Sequence, residues 1–349
     1  MSDRPRATLR PRLIAENWRR LSRQAGGSRV GAVVKADAYG HGMEPVARAL
    51  VRAGCDTFFV AYAFEGAQLR RVLGAGPAIH VFNGPSRDTL GILSEEALTP
   101  VLNSPDEVRL WMNAGGEAPF SLHIDTGMNR LGLRPETLGE LSRRPGLILS
   151  HYACADEPDN PMNRAQLEAF TAVARWFDGV PTSLANTAGH FLGPDFLGDV
   201  TRPGIGLYGG GTSPWQSLDL AAGLKLEAPI LTVTDVPAGE TVGYGATARL
   251  AAPARLATIA LGYGDGFPRS AGNQGFAMLD GLRCPIVGRV SMDLITLDVT
   301  AAGGLAKPGA WVEMLGDGAR LEEQAALAGT LGYELVTGLG PRIERTLSD

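Results

Sequence analysis

The chain has 349 residues, a formal net charge of −5 and 44% hydrophobic residues. That length suits two domains, or one large barrel with an appendage, and a core that needs no disulfide or metal staple. There is no basic run to mark a nucleic-acid partner, no apolar signal core near the N-terminus and no apolar stretch of membrane-spanning length, so cytoplasmic residence is the expectation.

Up to about residue 222, strand-length apolar runs alternate with amphipathic stretches. Strands are predicted at Val30–Val34, Thr57–Ala61, Ala78–Phe82, Phe120–Ile124, Leu147–Ser150 and Thr182–Leu184. Helices are predicted at Met43–Arg52, Glu65–Val72, Pro105–Asn113, Pro135–Ser142 and Met162–Phe177. Strands alternating with helices imply parallel pairing through crossovers, which periodicity alone leaves open between a barrel and an open sheet. About seven or eight units in this length favour an N-terminal (β/α)8 TIM-like barrel.

Beyond residue 223 the texture changes to short β-rich runs between turn signals: Ile230–Val236, Ala257–Leu261, Phe276–Leu279, Pro285–Val290, Leu294–Val299 and Trp311–Leu315, then one helix at Leu321–Leu331. This predicts a C-terminal, mostly antiparallel β domain, with residues 1–224 and 225–349 as the two units. Trp18, Trp111 and Trp176 lie on helix-like stretches and are expected in the core. Three widely spaced cysteines without a CxxC pair argue against disulfides and structural zinc, and no metal site is expected.

Val30–Val34 runs into Lys35, at the strand end that opens onto the active-site face of a barrel. Burial and nearby cations at such a place favour the nucleophilic amine. On position alone, a surface lysine capping a strand is the simpler reading. The string Ala-Val-Val-Lys35-Ala-Asp37-Ala-Tyr39-Gly-His41-Gly reverses it, because it resembles the attachment motif for pyridoxal 5′-phosphate (PLP) in the alanine racemase family, with Asp37 where many members carry Asn. The resemblance recurs in order at seven further places over nearly the whole chain. It implies a PLP-dependent amino-acid racemase, and a head-to-tail homodimer in which each site joins one barrel to the partner's β domain.

Further roles follow from the same resemblance. Lys35 carries the cofactor and is one catalytic base. Arg130, in the string from His123 to Gly132, meets the substrate carboxylate, which suits a guanidinium fork. Many members carry a carbamylated lysine at the position of His123, and histidine cannot supply that anion. An acidic side chain, a bound anion or water is therefore expected to orient Arg130. His151 supports Arg202 under the pyridine ring. Thr187, the N–H groups of Gly204 and Ile205 and the Tyr39 hydroxyl form the cofactor's phosphate site, and Asn186 is a further cofactor-binding residue. Arg202 faces the ring nitrogen; as a permanent donor it leaves that nitrogen unprotonated, which favours simple proton return over transamination.

The β domain supplies Tyr244 as the opposing base, from the other subunit. A tyrosine of ordinary pKa about 10 needs cationic neighbours for that work. By the same resemblance Tyr263 narrows the substrate entrance and the Met292 backbone holds the substrate carboxylate, with Ser291 where many members carry Cys. Some members place a phosphate-binding tyrosine at the position of Pro341, and that contact is not carried over. Racemisation of L- and D-alanine, with D-alanine feeding peptidoglycan precursors, is the leading expectation. A broad-spectrum racemase acting on serine or basic amino acids is the alternative. A PLP decarboxylase and a non-catalytic PLP carrier stand further off, the carrier because the β domain would then be surplus.

Overall fold

A computed structural model describes residues 3–114, 118–139, 141–211 and 218–348. The first helix, Pro11–Gln24, opens on proline at its first turn, where the missing N–H costs nothing, and buries Ile14, Ala15 and Leu21 on one face. After it the parallel strands come in order: Arg29–Val30 with Ala32–Val33, then Thr57–Val60, Ala78–Val81, Thr99–Leu102, Ser121–His123, Leu147–Leu149 and Thr182–Ser183. Gly31 stands between the two pieces of the first strand, where a Cβ would run into the Phe59 ring.

The ring closes through Val200–Thr201, which pairs in parallel with Arg29–Val30. On its other side the Arg202 N–H donates to Ala185 O at 2.8 Å. Eight parallel strands thus make the barrel. Its walls are covered on both faces, so Phe58, Phe59, Ile79, Val81, Leu122 and Ile148 are fully buried. Each such side chain contributes about 1.5–3 kcal/mol of burial.

The strand Thr99–Leu102 escaped the sequence reading because Pro100 interrupts its apolar run. The expected helix over Pro135–Ser142 does not form. A 3-10 turn covers Pro135–Thr137, Gly139 follows, and Pro145 caps the available length; residue 140 of that stretch lies outside the described residues. Trp111 is buried as expected, whereas Trp176 sits at a helix end and is exposed.

The second sheet has eight strands built around the long strand Leu224–Val236. That strand pairs antiparallel with Ala254–Ala260 and with Trp311–Leu315. It also pairs with Arg6–Leu9, which in turn lies parallel to Glu344–Leu347. The first strand of the chain therefore belongs to the sheet formed by its last third, a long-range pairing that no local pattern announces. The strand expected at Pro285–Val290 lies earlier, at Leu282–Pro285. Ile286 keeps a single bridge to Leu297, and the chain then loops through Gly288, whose φ is +80°. The expected helix Leu321–Leu331 ends at Leu327, and a second short helix follows at Gly332–Thr337. No helix among the described residues is long and apolar enough to cross a membrane.

Candidate active site

Lys35 stands one residue past the strand Ala32–Val33, after Val34, and faces the barrel mouth beside Phe82, with its Nζ 6.0 Å from the ring centroid. Burial lowers its pKa below the usual lysine value; the Arg130 charge adds to this and Glu65 opposes it. The next four residues, Ala36 to Tyr39, all have φ between 52° and 55°, a left-handed turn that L-residues resist. Such a conformation costs about 1–2 kcal/mol per residue.

What holds this turn is a set of carboxylates. Buried Glu65 accepts N–H bonds from Ala36 at 2.7 Å, Ala61 at 2.8 Å and Tyr62 at 3.1 Å. Asp37 Oδ1 accepts the Met43 N–H at 2.7 Å, and the Asp37 Oδ2 lies 3.6 Å from Arg345. Asp37 can do this because it is a carboxylate at a position of positive φ that short polar side chains tolerate.

Tyr39 ends the turn, stacked on Tyr208 with centroids 4.9 Å apart and tilted against Tyr333 at 5.9 Å. Burial raises its pKa, so the hydroxyl stays protonated and can donate. It sits against Gly204, where any Cβ would collide with it. The buried Thr187 hydroxyl accepts the N–H groups of Gly204 at 3.0 Å and Gly206 at 3.1 Å, and Ile205 lies buried between them. The Tyr39 and Thr187 hydroxyls thus meet at a glycine-lined cradle, with the Thr187 oxygen already satisfied by two backbone N–H groups and its proton left to donate, an arrangement that suits a phosphate. Asn186 contributes differently: its Oδ1 accepts the Gly189 N–H at 2.9 Å and so shapes the turn after Thr187.

The floor of the mouth is cationic. Arg202 is 3% exposed; its guanidinium donates to Ser183 Oγ and Ser150 O, each at 2.5 Å, and lies 3.5 Å from His151 Nδ1. None of these partners is a carboxylate, and burial lowers its pKa to about 10, which still leaves it charged at neutral pH. Burial, reinforced by Arg202, pulls His151 down to about 3 and His80 to about 4, so both rings are neutral at pH 7. His80 pairs with Ser121 at 2.9 Å.

His123 does not meet Arg130. Its Nδ1 lies 2.8 Å from Asn103 Oδ1. Arg130 is exposed, and among the described residues it has no hydrogen bond or ion pair. Sequence reading missed Glu65 and Asn103. A Glu three residues into a helix start was a visible signal for the first, whereas Asn103 follows the strand that Pro100 disguised.

Tyr244, Tyr263 and Met292 form a separate group. Tyr244 is 72% exposed, Met292 54% and Tyr263 43%. They share one face because their loops are stitched to the same segment: the Tyr263 N–H donates to Ser291 O, the Gly264 N–H donates to Met292 O, and Gly243 and Gly245 approach Arg289 closely. Arg342 braces this segment through Asp265 at 2.8 Å and Asp293 at 2.7 Å. Among the described residues, no hydrogen bond, ion pair or ring contact joins this group to the barrel mouth.

An eight-stranded α/β barrel with a half-buried lysine just past a strand end, a glycine-lined cradle and an appended β domain defines the class. Family models for the alanine racemase N-terminal domain and C-terminal domain match residues 10–212 and 223–347. The chain belongs to the alanine racemase family, whose members are PLP-dependent enzymes. It is 44% identical to an alanine racemase of Rhodospirillum rubrum over 95% of this chain and 92% of that protein. It is 42% identical to one from Methylobacterium sp. over 99% and 98%. Among solved structures, alanine racemase from Bartonella henselae with covalently bound pyridoxal phosphate superposes with a TM-score of 0.92 at 36% identity, covering 99% of this chain and 100% of that one. The biosynthetic alanine racemase from Pseudomonas aeruginosa gives 0.92 at 33% identity, with both chains fully covered.

Proposed function

We propose that this chain interconverts L- and D-alanine by a two-base route, with PLP held on Lys35 and the second base supplied by the partner subunit's Tyr244. The observation that carries the reading is the separation of the two groups. Lys35, Arg202 and the Thr187–Gly204 cradle line one barrel mouth, while Tyr244, Tyr263 and Met292 stand exposed on the β domain without contact to it. Exposed aromatic and apolar side chains clustered on one face are what a second copy would cover.

The residues present fit the cofactor. Thr187, Tyr39 and the Ile205 N–H hold its phosphate, with the Gly204 N–H donating to the Thr187 hydroxyl and so aiming that hydroxyl's own proton at the phosphate; Arg202 backed by His151 donates to its ring nitrogen, and Asn186 shapes the cradle. When bound, PLP supplies the electron sink that lets an amino acid's α-proton leave. Lys35, with its lowered pKa, takes or returns that proton on one face. The phenol of Tyr244 serves the opposite face. Arg130 grips the substrate carboxylate together with the Met292 N–H, which has no acceptor among the described residues. Tyr263 narrows the entrance to a small side chain, which favours alanine over bulkier or basic amino acids.

The proposal includes a head-to-tail homodimer in the cytoplasm and the division into residues 1–224 and 225–349, with the strand Arg6–Leu9 paired to the second unit. The test is complementation. Lys35→Ala and Tyr244→Ala proteins are each inactive alone; mixed under conditions of subunit exchange, they recover up to one intact site per heterodimer. No recovery despite demonstrated exchange overturns the shared-site reading.

A further inference from the structure

Asn103 stands at the end of the strand Thr99–Leu102, 5% exposed, in a clamp that leaves its amide one orientation. Its Nδ2 has three acceptors around it: Phe82 O at 2.9 Å, Val101 O at 2.8 Å and Glu107 Oε2 at 3.1 Å. The opposite assignment would turn an oxygen toward two carbonyls and a carboxylate, so the nitrogen belongs there and Oδ1 faces His123. Glu107 is held in turn by the Asn103 N–H at 2.7 Å. Gly84, at φ +68°, leaves the space that the Glu107 carboxylate fills.

An amide oxygen only accepts, so His123 Nδ1 carries the proton. The neutral ring then has its lone pair on Nε2. Burial keeps it neutral: with the Arg202 and Arg130 charges it lowers the pKa to about 4 against the opposing pull of Asp125. The other groups that face this neighbourhood are His151 and, behind Asn103, Glu107. The Arg130 loop is also tied to the backbone of His123. The Leu133 N–H donates to His123 O at 2.8 Å, and the Asp125 N–H donates to Leu133 O at 2.9 Å. Arg130 itself meets no carboxylate among the described residues, so an acidic side chain of this kind does not orient it here.

We infer that Asn103 is a positioning residue: it locks His123 as the Nδ1–H tautomer so that the Nε2 lone pair accepts a hydrogen bond from Arg130 when substrate draws that arginine inward. This rests on the reading of Arg130 as the carboxylate-gripping residue. A neutral acceptor replaces an anion at this place. Arg130 therefore keeps its full charge for the substrate, and its alignment needs no carbon dioxide or bicarbonate.

The first test is NMR of the holoenzyme labelled with 15N-histidine. The His123 resonances should show a protonated Nδ1 and a bare Nε2 throughout pH 6–8, a range above its lowered pKa. An Nε2–H tautomer, or an imidazolium at pH 7, overturns the inference. The second test is Asn103→Asp. A carboxylate facing Nδ1–H raises the His123 pKa, the lone pair is lost on protonation, and an imidazolium repels Arg130. The KM for alanine should rise on the acid side, by roughly tenfold or more, with kcat changing less. An Asn103→Asp KM that stays flat with pH, in a protein where Arg130→Ala still raises KM, sinks this inference and leaves the site reading intact. If Arg130→Ala also leaves KM unchanged, the reading of Arg130 fails with it.

Discussion

Nη2 of Arg202 lies 3.5 Å from Nδ1 of His151 and 2.5 Å from the carbonyl oxygen of Ser150. A guanidinium has only donors, so His151 presents a lone pair on Nδ1 and carries its proton on Nε2. Among the described residues the cation is thus held by neutral acceptors, with Ser183 as the third. Replacing Arg202 by Glu puts a carboxylate where the ring nitrogen is expected, and that carboxylate can keep the nitrogen protonated. Racemase activity should fall by about a hundredfold or more. A transamination side product, pyridoxamine phosphate, should accumulate on incubation with alanine. Mass spectrometry of the released cofactor reads this; an Arg202→Glu enzyme that racemises normally and yields none contradicts the role assigned to Arg202.

The strained turn after Lys35 should depend on Glu65. A glutamine there has one acceptor oxygen in place of two, so at least one of the N–H groups of Ala36, Ala61 and Tyr62 loses its partner. Leaving such a buried donor unpaired costs about 1–3 kcal/mol. Glu65→Gln should lower the urea midpoint with an unchanged slope and weaken PLP retention. An unaltered midpoint would mean that the turn is held by other contacts.

All five histidines of the chain have lowered pKa values: about 4 for His41, His80 and His190, which are buried, about 4 for His123 and about 3 for His151, which are half-buried. Burial is the first cause in each. Unfolded, they titrate near 6.5, so between about pH 6.5 and 4 the unfolded chain binds protons that the folded chain refuses. The stability they contribute is complete above about pH 6.5 and is lost as pH falls through that window. Each titrating histidine adds up to about 1.4 kcal/mol per pH unit to the slope. Melting temperatures across pH 4–8 test it. A flat profile from pH 6.5 to 5 would falsify the assignment of neutral rings.

Tyr244→Phe removes the phenolic hydroxyl that serves one face of the substrate and leaves Lys35 in place. Since the equilibrium between enantiomers fixes the ratio of the two kcat/KM values, the asymmetry shows in isotope exchange. In deuterated solvent, the α-proton of one enantiomer should still wash out while that of the other is retained. Small, equal losses of exchange for both enantiomers count against Tyr244 as a base.

Much of the barrel was legible because parallel strands buried on both faces read as short apolar runs. Helices of clear periodicity, such as Met43–Ala53 and Pro161–Ala174, separate those runs and keep them distinct. Thr99–Leu102 was hidden by Pro100, and with it Asn103. The motif residues were legible as strings, since Lys35, Arg202 and Tyr244 each sit in a run of glycines and small residues whose order is distinctive.

By itself the sequence determined the local chemistry: which lysine ends a strand, which glycines leave room for a cradle and where the texture changes from alternating helices to short strands. Only the tertiary structure decided which distant groups meet. Arg6–Leu9 joins a sheet made far later in the chain, pairing with Leu224–Glu227, Glu65 holds the Lys35 turn, and Asn103 sets the proton on His123. These pairings depend on hydrogen bonds between residues far apart in the chain, and such bonds exist only once packing has brought their donors and acceptors within about 3 Å.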